Sequence, residues 1–233
     1  MCEKMDNKTY KIINTTDNFE GTDSNENILF LGPPGSGKST LIDILTNKTH
    51  DNAHNNTSLY LVSNRAKFLH ESNGKIFIDT PGIFGNMGVS SNIYSSNIYT
   101  PDMLEAEISK VKELSKIIFV ISTSSRLSLD TCETIRSFMI KYKIQEHTDR
   151  FLFVLTNSDN LPQYEIEKLT NELKIILNIP ENVTIISFTI KCLTESRNML
   201  YHHLNSTCIS TKIINNPPSN ISKFSLRKFL CIW

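Results

Sequence analysis

The sequence has no surplus of either charge, no paired cysteines and no targeting signal at its start, and each absence removes a class of protein. Its 24 lysines and arginines balance 24 aspartates and glutamates, so no overall field draws it to nucleic acid or to an acidic membrane face. No nucleic-acid partner is expected. The five cysteines, Cys2, Cys132, Cys192, Cys208 and Cys231, are scattered, and none forms the Cys-x-x-Cys spacing of a metal or redox site. Free thiols in a reducing compartment follow. The opening stretch MCEKMDNKTYKIINTTDNFEGTD lacks the charged-then-apolar pattern of a secretory signal, and Cys2 stands where myristoylation needs glycine. The expected location is cytoplasmic, and the Asn-x-Ser/Thr triplets scattered along the chain carry no weight there.

With those classes set aside, 233 residues and a 39 % hydrophobic content suit one soluble α/β domain with a sizeable core. Residues 1–26 are polar and aperiodic and read as a flexible arm. Order is expected from Asn27. The run NILFLG predicts a strand ending at glycine, and KSTLIDILTN predicts a helix with Leu41, Ile42, Ile44 and Leu45 on one side. Two strands meeting near Asn73-Gly74 follow, the second being KIFID, which ends at Asp79. Residues 82–100 keep no period and read as a mobile loop. Thr100 and Pro101 then open a helix carrying Leu104, Ile108 and Val111. KIIFVIS predicts a buried strand. Asp130 with Glu133 resembles a capping box for a helix with Ile135, Phe138, Met139 and Tyr142 on its apolar stripe. Strand RFLFVLT, a helix with Ile166, Leu169, Leu173 and Ile176, strand NVTIISF and a helix over about 191–205 complete the domain, 27–205. Strands alternating with helices predict a mostly parallel, doubly wound sheet with helices on both faces. Its ligand belongs at the carboxyl ends of the strands, after Phe30, Asp79, Ile121, Thr156 and Ser187.

Three segments at those ends carry chemistry. GPPGSGKS matches G-x-x-x-x-G-K-[ST] between a predicted strand and helix. Gly32, Pro33, Pro34, Gly35, Ser36 and Gly37 form a loop whose backbone N–H groups cradle phosphate. Lys38 reaches the β- and γ-phosphates, and Ser39, followed by Thr40, offers a hydroxyl to Mg²⁺. The loop alone suits ATP or GTP. Asp79-Thr80-Pro81-Gly82 places a carboxylate for Mg²⁺ and a hinged Gly82 whose N–H finds the γ-phosphate. Thr156-Asn157-Ser158-Asp159 ends the fourth such strand; a carboxylate at Asp159 accepts the guanine N1–H and N2 amine in a bidentate pair. Adenine lacks both donors, so an unpaired Asp159 costs about 1–3 kcal/mol and favours GTP at least about tenfold.

The series GPPGSGKST, IFIDTPGIF, IIFVIS with RLSLDTCETIRSF, and FLFVLTNSDNL resembles the AIG-type GTPases, the immunity-associated group related to septins and chloroplast envelope import GTPases, over roughly residues 26–200. The T-x-x-D form of the base motif, Thr156 with Asp159, is the most telling feature, and the segment at Arg126-Leu127-Ser128 is also similar to that family's own box. This resemblance implies a P-loop NTPase G domain (α/β) that binds GTP or GDP with Mg²⁺, dimerises through the nucleotide face in its GTP state and attaches to internal membranes. For the metal, Ser39 and Asp79 are joined by a switch threonine, Thr57, with Ser58 the competitor. The guanine loop falls at Ser187 to Thr189, where the residue types specify no contact.

Ile83 follows Gly82 where a glutamine would orient the attacking water, so slow GTP hydrolysis is expected, at or below the roughly 10⁻⁴ to 10⁻³ per second of an unassisted small G protein. Arg126 across a dimer interface, or His50 or His54, are candidates for the missing catalytic group. Two other readings stay open: a nucleotide-holding scaffold or adhesion module without turnover, which Ile83 supports, and an ATP-dependent kinase or ATPase, which Asp79 to Gly82 and Asp159 oppose. In the tail, 206–233, ISKFSLRKFLCIW interleaves aromatics with Lys223, Arg227 and Lys228. Residues 221–233 either lie on a membrane, internal or plasma, as a peripheral segment or fold back on the domain.

Overall fold

The computed structural model describes residues 11–13, 26–46, 67–70, 75–82, 104, 108, 111, 113–205 and 213–214. Apolar runs dictate its centre. Strands β2 (Glu26–Leu31), β4 (Lys75–Asp79), β6 (Lys116–Ser122), β7 (Phe151–Thr156) and β8 (Thr184–Ser187) lie parallel, in the order β4-β2-β6-β7-β8. Their near-continuous Ile/Leu/Val/Phe content is that of strands covered on both faces. Ile28, Leu29, Phe30 and Leu31 are all fully buried, and alternate residues feed opposite cores. Leu29, Leu31, Phe119 and Phe153 pack with Ile135, Phe138, Leu173 and Leu177 of helices α2 (Leu129–Lys141) and α3 (Gln163–Leu177). Ile28, Phe30, Val120 and Val154 pack with Leu41, Leu45, Leu200 and Leu204 of α1 (Lys38–Leu45) and α4 (Leu193–Asn205). Leu104, Ile108 and Val111, expected on one helix face, are all buried in the first of these cores.

The remaining strands correct the expected boundaries. The segment 1–26, read as an unstructured arm, contains β1 (Lys11–Ile13), which pairs antiparallel with β3 (Lys67–His70); β3 in turn pairs antiparallel with β4 and makes a seven-stranded sheet. In the tail, β9 (Ile213–Ile214) pairs with β5 (Glu113–Leu114). Both additions are too short to show a period in the sequence. The cap of α2 also differs from the expected capping box: Ser128 Oγ accepts the Thr131 amide at 3.2 Å, and Asp130 lies in the first turn. On α3, Leu177 rather than Ile176 completes the buried stripe; Ile176 is 46 % exposed. Leu173 and Leu177 stack one turn apart on the sheet, and Ile176 falls off that line.

Candidate nucleotide site

The carboxyl ends of β2, β4, β6, β7 and β8 converge on one edge of the sheet, where the order of connection reverses about β2. A ligand crevice belongs at such a point. Gly32 to Gly37 leave β2 and turn into α1, with Gly35 at φ +73° and Gly37, the N-cap, at φ +92°. A side chain at either position would be strained, so the backbone can take the curl that aims N–H groups inward. The first helical bond runs from Leu41 N to Gly37 O (2.8 Å), which puts the amides of Lys38, Ser39 and Thr40 at the open, electropositive end of α1. Ser36 is 1 % exposed, and its Oγ has no hydrogen-bond partner among the described residues. A phosphate oxygen fits such a cradle.

Lys38 bends back over the loop, its Nζ donating to Gly32 O (3.0 Å) and Pro33 O (2.9 Å). Burial pulls its pKa down to about 8, against the opposing pull of the Asp79 charge. Two of the residues expected at the metal lie together: Ser39 Oγ donates to Asp79 Oδ2 at 2.6 Å. A hydroxyl and a carboxylate this close form a hard oxygen pair that fits Mg²⁺. Thr57 and Ser58, with His50, His54 and Ile83, lie outside the described residues. Beyond Asp79, Thr80 Oγ1 donates to Phe30 O (2.6 Å), tying this strand end to the phosphate-loop strand. Gly82 abuts Pro34, and a Cβ there would come within 2.5 Å of the Pro34 backbone.

Thr156 and Asp159 divide the work expected of the third motif. Thr156 is buried and points to the phosphate loop, its Oγ1 donating to Ser36 O at 2.7 Å. Asp159 lies at the rim. Its Oδ1 accepts the backbone amides of Ile190 (2.6 Å) and Lys191 (3.0 Å), and Lys191 Nζ donates to Asp159 O (2.7 Å). These two amides engage Oδ1, while Oδ2 accepts from neither of them. The segment expected as the guanine loop, Ser187 to Thr189, lies beside this contact: Ser187 Oγ and Ser158 Oγ are 2.7 Å apart, and the amides on Asp159 come from the two residues that follow it. Sequence reasoning had no signal for these, because backbone donors leave none. Arg126 is exposed and lines, with Pro33, Pro34, Ser36 and Ser125, a cavity of about 240 Å³ beside the phosphate loop.

A parallel five-strand core with a glycine loop at its switch point, Ser39 bonded to Asp79 beside it, and a carboxylate at the rim defines a P-loop GTPase domain, the guanine-nucleotide-binding class. Residues 27–158 match the family of 50S ribosome-binding GTPases, and since this is more than half its length, the chain belongs to that family. No curated protein matches the sequence. Among solved structures, it is similar to the chloroplast translocon components atToc33 and psToc159 (14 % identity, 82 % of this chain, 86 % of that one, TM-score 0.57), for which dimerisation is described as important for GTPase activity. A dimerisation-deficient mutant of Toc33 from Arabidopsis thaliana is also similar (15 %, 71 % and 70 %, TM-score 0.50). So is elongation factor SelB from Methanococcus maripaludis with a GTP analogue (21 %, TM-score 0.49); the match covers 80 % of this chain but only 35 % of SelB. At these identities the likeness is one of fold.

Proposed function

We propose that the protein is an AIG-type guanine-nucleotide switch that binds GTP and GDP with Mg²⁺, hydrolyses GTP slowly and dimerises through its nucleotide face in the GTP state. The observation that carries this reading is the bond from Thr156 to Ser36 O: it sets the start of the T-x-x-D motif, the family mark, directly beside the phosphate loop. Gly32 to Gly37 and the α1 amides hold the phosphates, and Lys38 swings from its two carbonyls to them. Ser39 and Asp79 hold Mg²⁺, which screens the phosphate charge. With Oδ1 engaged by its own chain, Asp159 offers Oδ2 to the guanine N1–H and N2 donors. Gly82, set against Pro34, is the hinge that senses the γ-phosphate.

Hydrolysis needs a group that orients water or neutralises transition-state charge. Arg126, exposed beside the phosphate loop, is the candidate for delivery to a partner's site in a dimer. Calorimetry of GTP, GDP and ATP with Mg²⁺, on the wild type and Asp159→Ala, tests the base reading. Guanine nucleotides are expected to bind at least about tenfold tighter than ATP, and the variant to lose that preference. Equal binding of ATP would replace this reading with the ATPase one. Turnover that rises with protein concentration, and drops in Arg126→Ala while GTP binding persists, supports the dimer; a rate independent of both removes it. Ile83 favours a second reading, a nucleotide-holding scaffold, and single-turnover assays with no product formed would establish it.

A further inference from the structure

Asn157, in the middle of the base motif, sits at φ +57°, a left-handed conformation that asparagine tolerates better than other non-glycine residues and that its surroundings here hold in place. The groups that hold it come from another strand. After β6, Thr123 N donates to Thr156 O (2.9 Å), and Thr123 Oγ1 is within reach of both Asn157 O (2.8 Å) and Thr156 O (3.1 Å). The Asn157 side chain completes the bracket: Nδ2 donates to Ser122 Oγ at 2.9 Å, and Ser122 Oγ in turn lies 2.7 Å from Ser124 Oγ. On its far side, Ser158 Oγ donates to Phe188 O (3.1 Å), so the turn is held between the ends of β6 and β8. None of these groups is needed to close the sheet, whose β6–β7 ladder already runs to Ser122 and Thr156.

We propose that Thr123 is a specificity-positioning residue: its hydroxyl holds the left-handed turn at Asn157 and thereby sets the direction of the Asp159 carboxylate two residues on. This rests on the guanine reading of Asp159. In short motifs, one residue's φ swings everything after it; relaxing Asn157 to an ordinary conformation draws Asp159 off the Ile190 and Lys191 amides that hold its Oδ1 and re-aims it, while Thr156, which precedes the turn, stays on Ser36 O. The consequence is a particular signature: loss of base discrimination without loss of phosphate binding.

The test compares Kd for GTP and ATP, with Mg²⁺, on the full chain by calorimetry, together with thermal melting. Thr123→Val keeps the shape and removes the donor; the GTP-over-ATP ratio is expected to fall at least about fivefold, chiefly by weaker GTP binding, while Thr123→Ser restores it. A merely structural role would lower the melting temperature and weaken both nucleotides alike. The backbone argument is checked independently at Asn157, where valine disfavours φ > 0 and glycine accepts it: Asn157→Val is expected to lose more of the ratio than Asn157→Gly. An unchanged ratio in Thr123→Val, or equal losses in the two Asn157 variants, overturns the proposal. A wild type without guanine preference instead overturns the base reading, and this inference falls with it.

Discussion

At the scale of single residues, the chemistry turns on side chains that bond to backbone carbonyls of the phosphate loop. Lys38 is the clearest. Its pKa in the folded chain, about 8, lies below the 10.5 of an unperturbed lysine, so between those values the unfolded chain binds the extra proton. The contribution of this group to stability therefore rises from about pH 8 to 10.5, and its full penalty is present below about pH 8. Phosphates restore the charge. Nucleotide binding near pH 8 is expected to take up a proton and to weaken as pH climbs further; calorimetry in two buffers of different ionisation enthalpy reads the uptake, and identical heats would contradict it. Thr156 makes the second residue-scale case. Thr156→Val, isosteric but without the donor, leaves the buried Ser36 carbonyl without this bond and is expected to cost about 1–3 kcal/mol in chemical denaturation, with weaker nucleotide binding.

At the scale of elements, helix and strand positions follow from period and capping, and the departures have physical causes. Ser128 rather than Asp130 caps α2, since only Ser128 has the extended backbone (φ −72°, ψ 159°) of an N-cap. Ser128→Ala is expected to cost about 1 kcal/mol, whereas Asp130→Ala, which leaves the cap bond intact, costs a few tenths through the helix dipole; urea unfolding distinguishes them. On α3, Leu177→Ala is expected to cost about 2–5 kcal/mol because Leu177 is fully buried between helix and sheet. Ile176→Ala costs far less at half exposure, and equal losses would mean that the stripe runs as the sequence alone suggests. The phosphate loop was legible in the sequence because Gly37 is required twice, by its spacing to Lys38 and by φ +92° at the N-cap. The engagement of Asp159 with Ile190 and Lys191 was not, because a backbone amide has the same chemistry in every residue.

At the scale of the whole molecule, five parallel strands bring loops more than a hundred residues apart in sequence to one edge, as the bond between Ser36 and Thr156 shows. Binding energy there is shared with folding: guanine nucleotide at about 100 times its Kd is expected to add about 2.7 kcal/mol to stability. Chelating Mg²⁺ should remove much of that gain for GTP if Ser39 and Asp79 hold the ion, and thermal melting with and without chelator measures it. The sequence by itself determined the class of fold, through its alternation of apolar strand runs and amphipathic helices, and the phosphate chemistry, through a motif whose contacts lie within a dozen residues of chain. Tertiary structure alone decided which strands flank the central one, that β1 extends the sheet, and how Asp159 is held. Those outcomes rest on pairings between distant segments, and a pairing of backbone groups leaves no mark in the identity of the side chains.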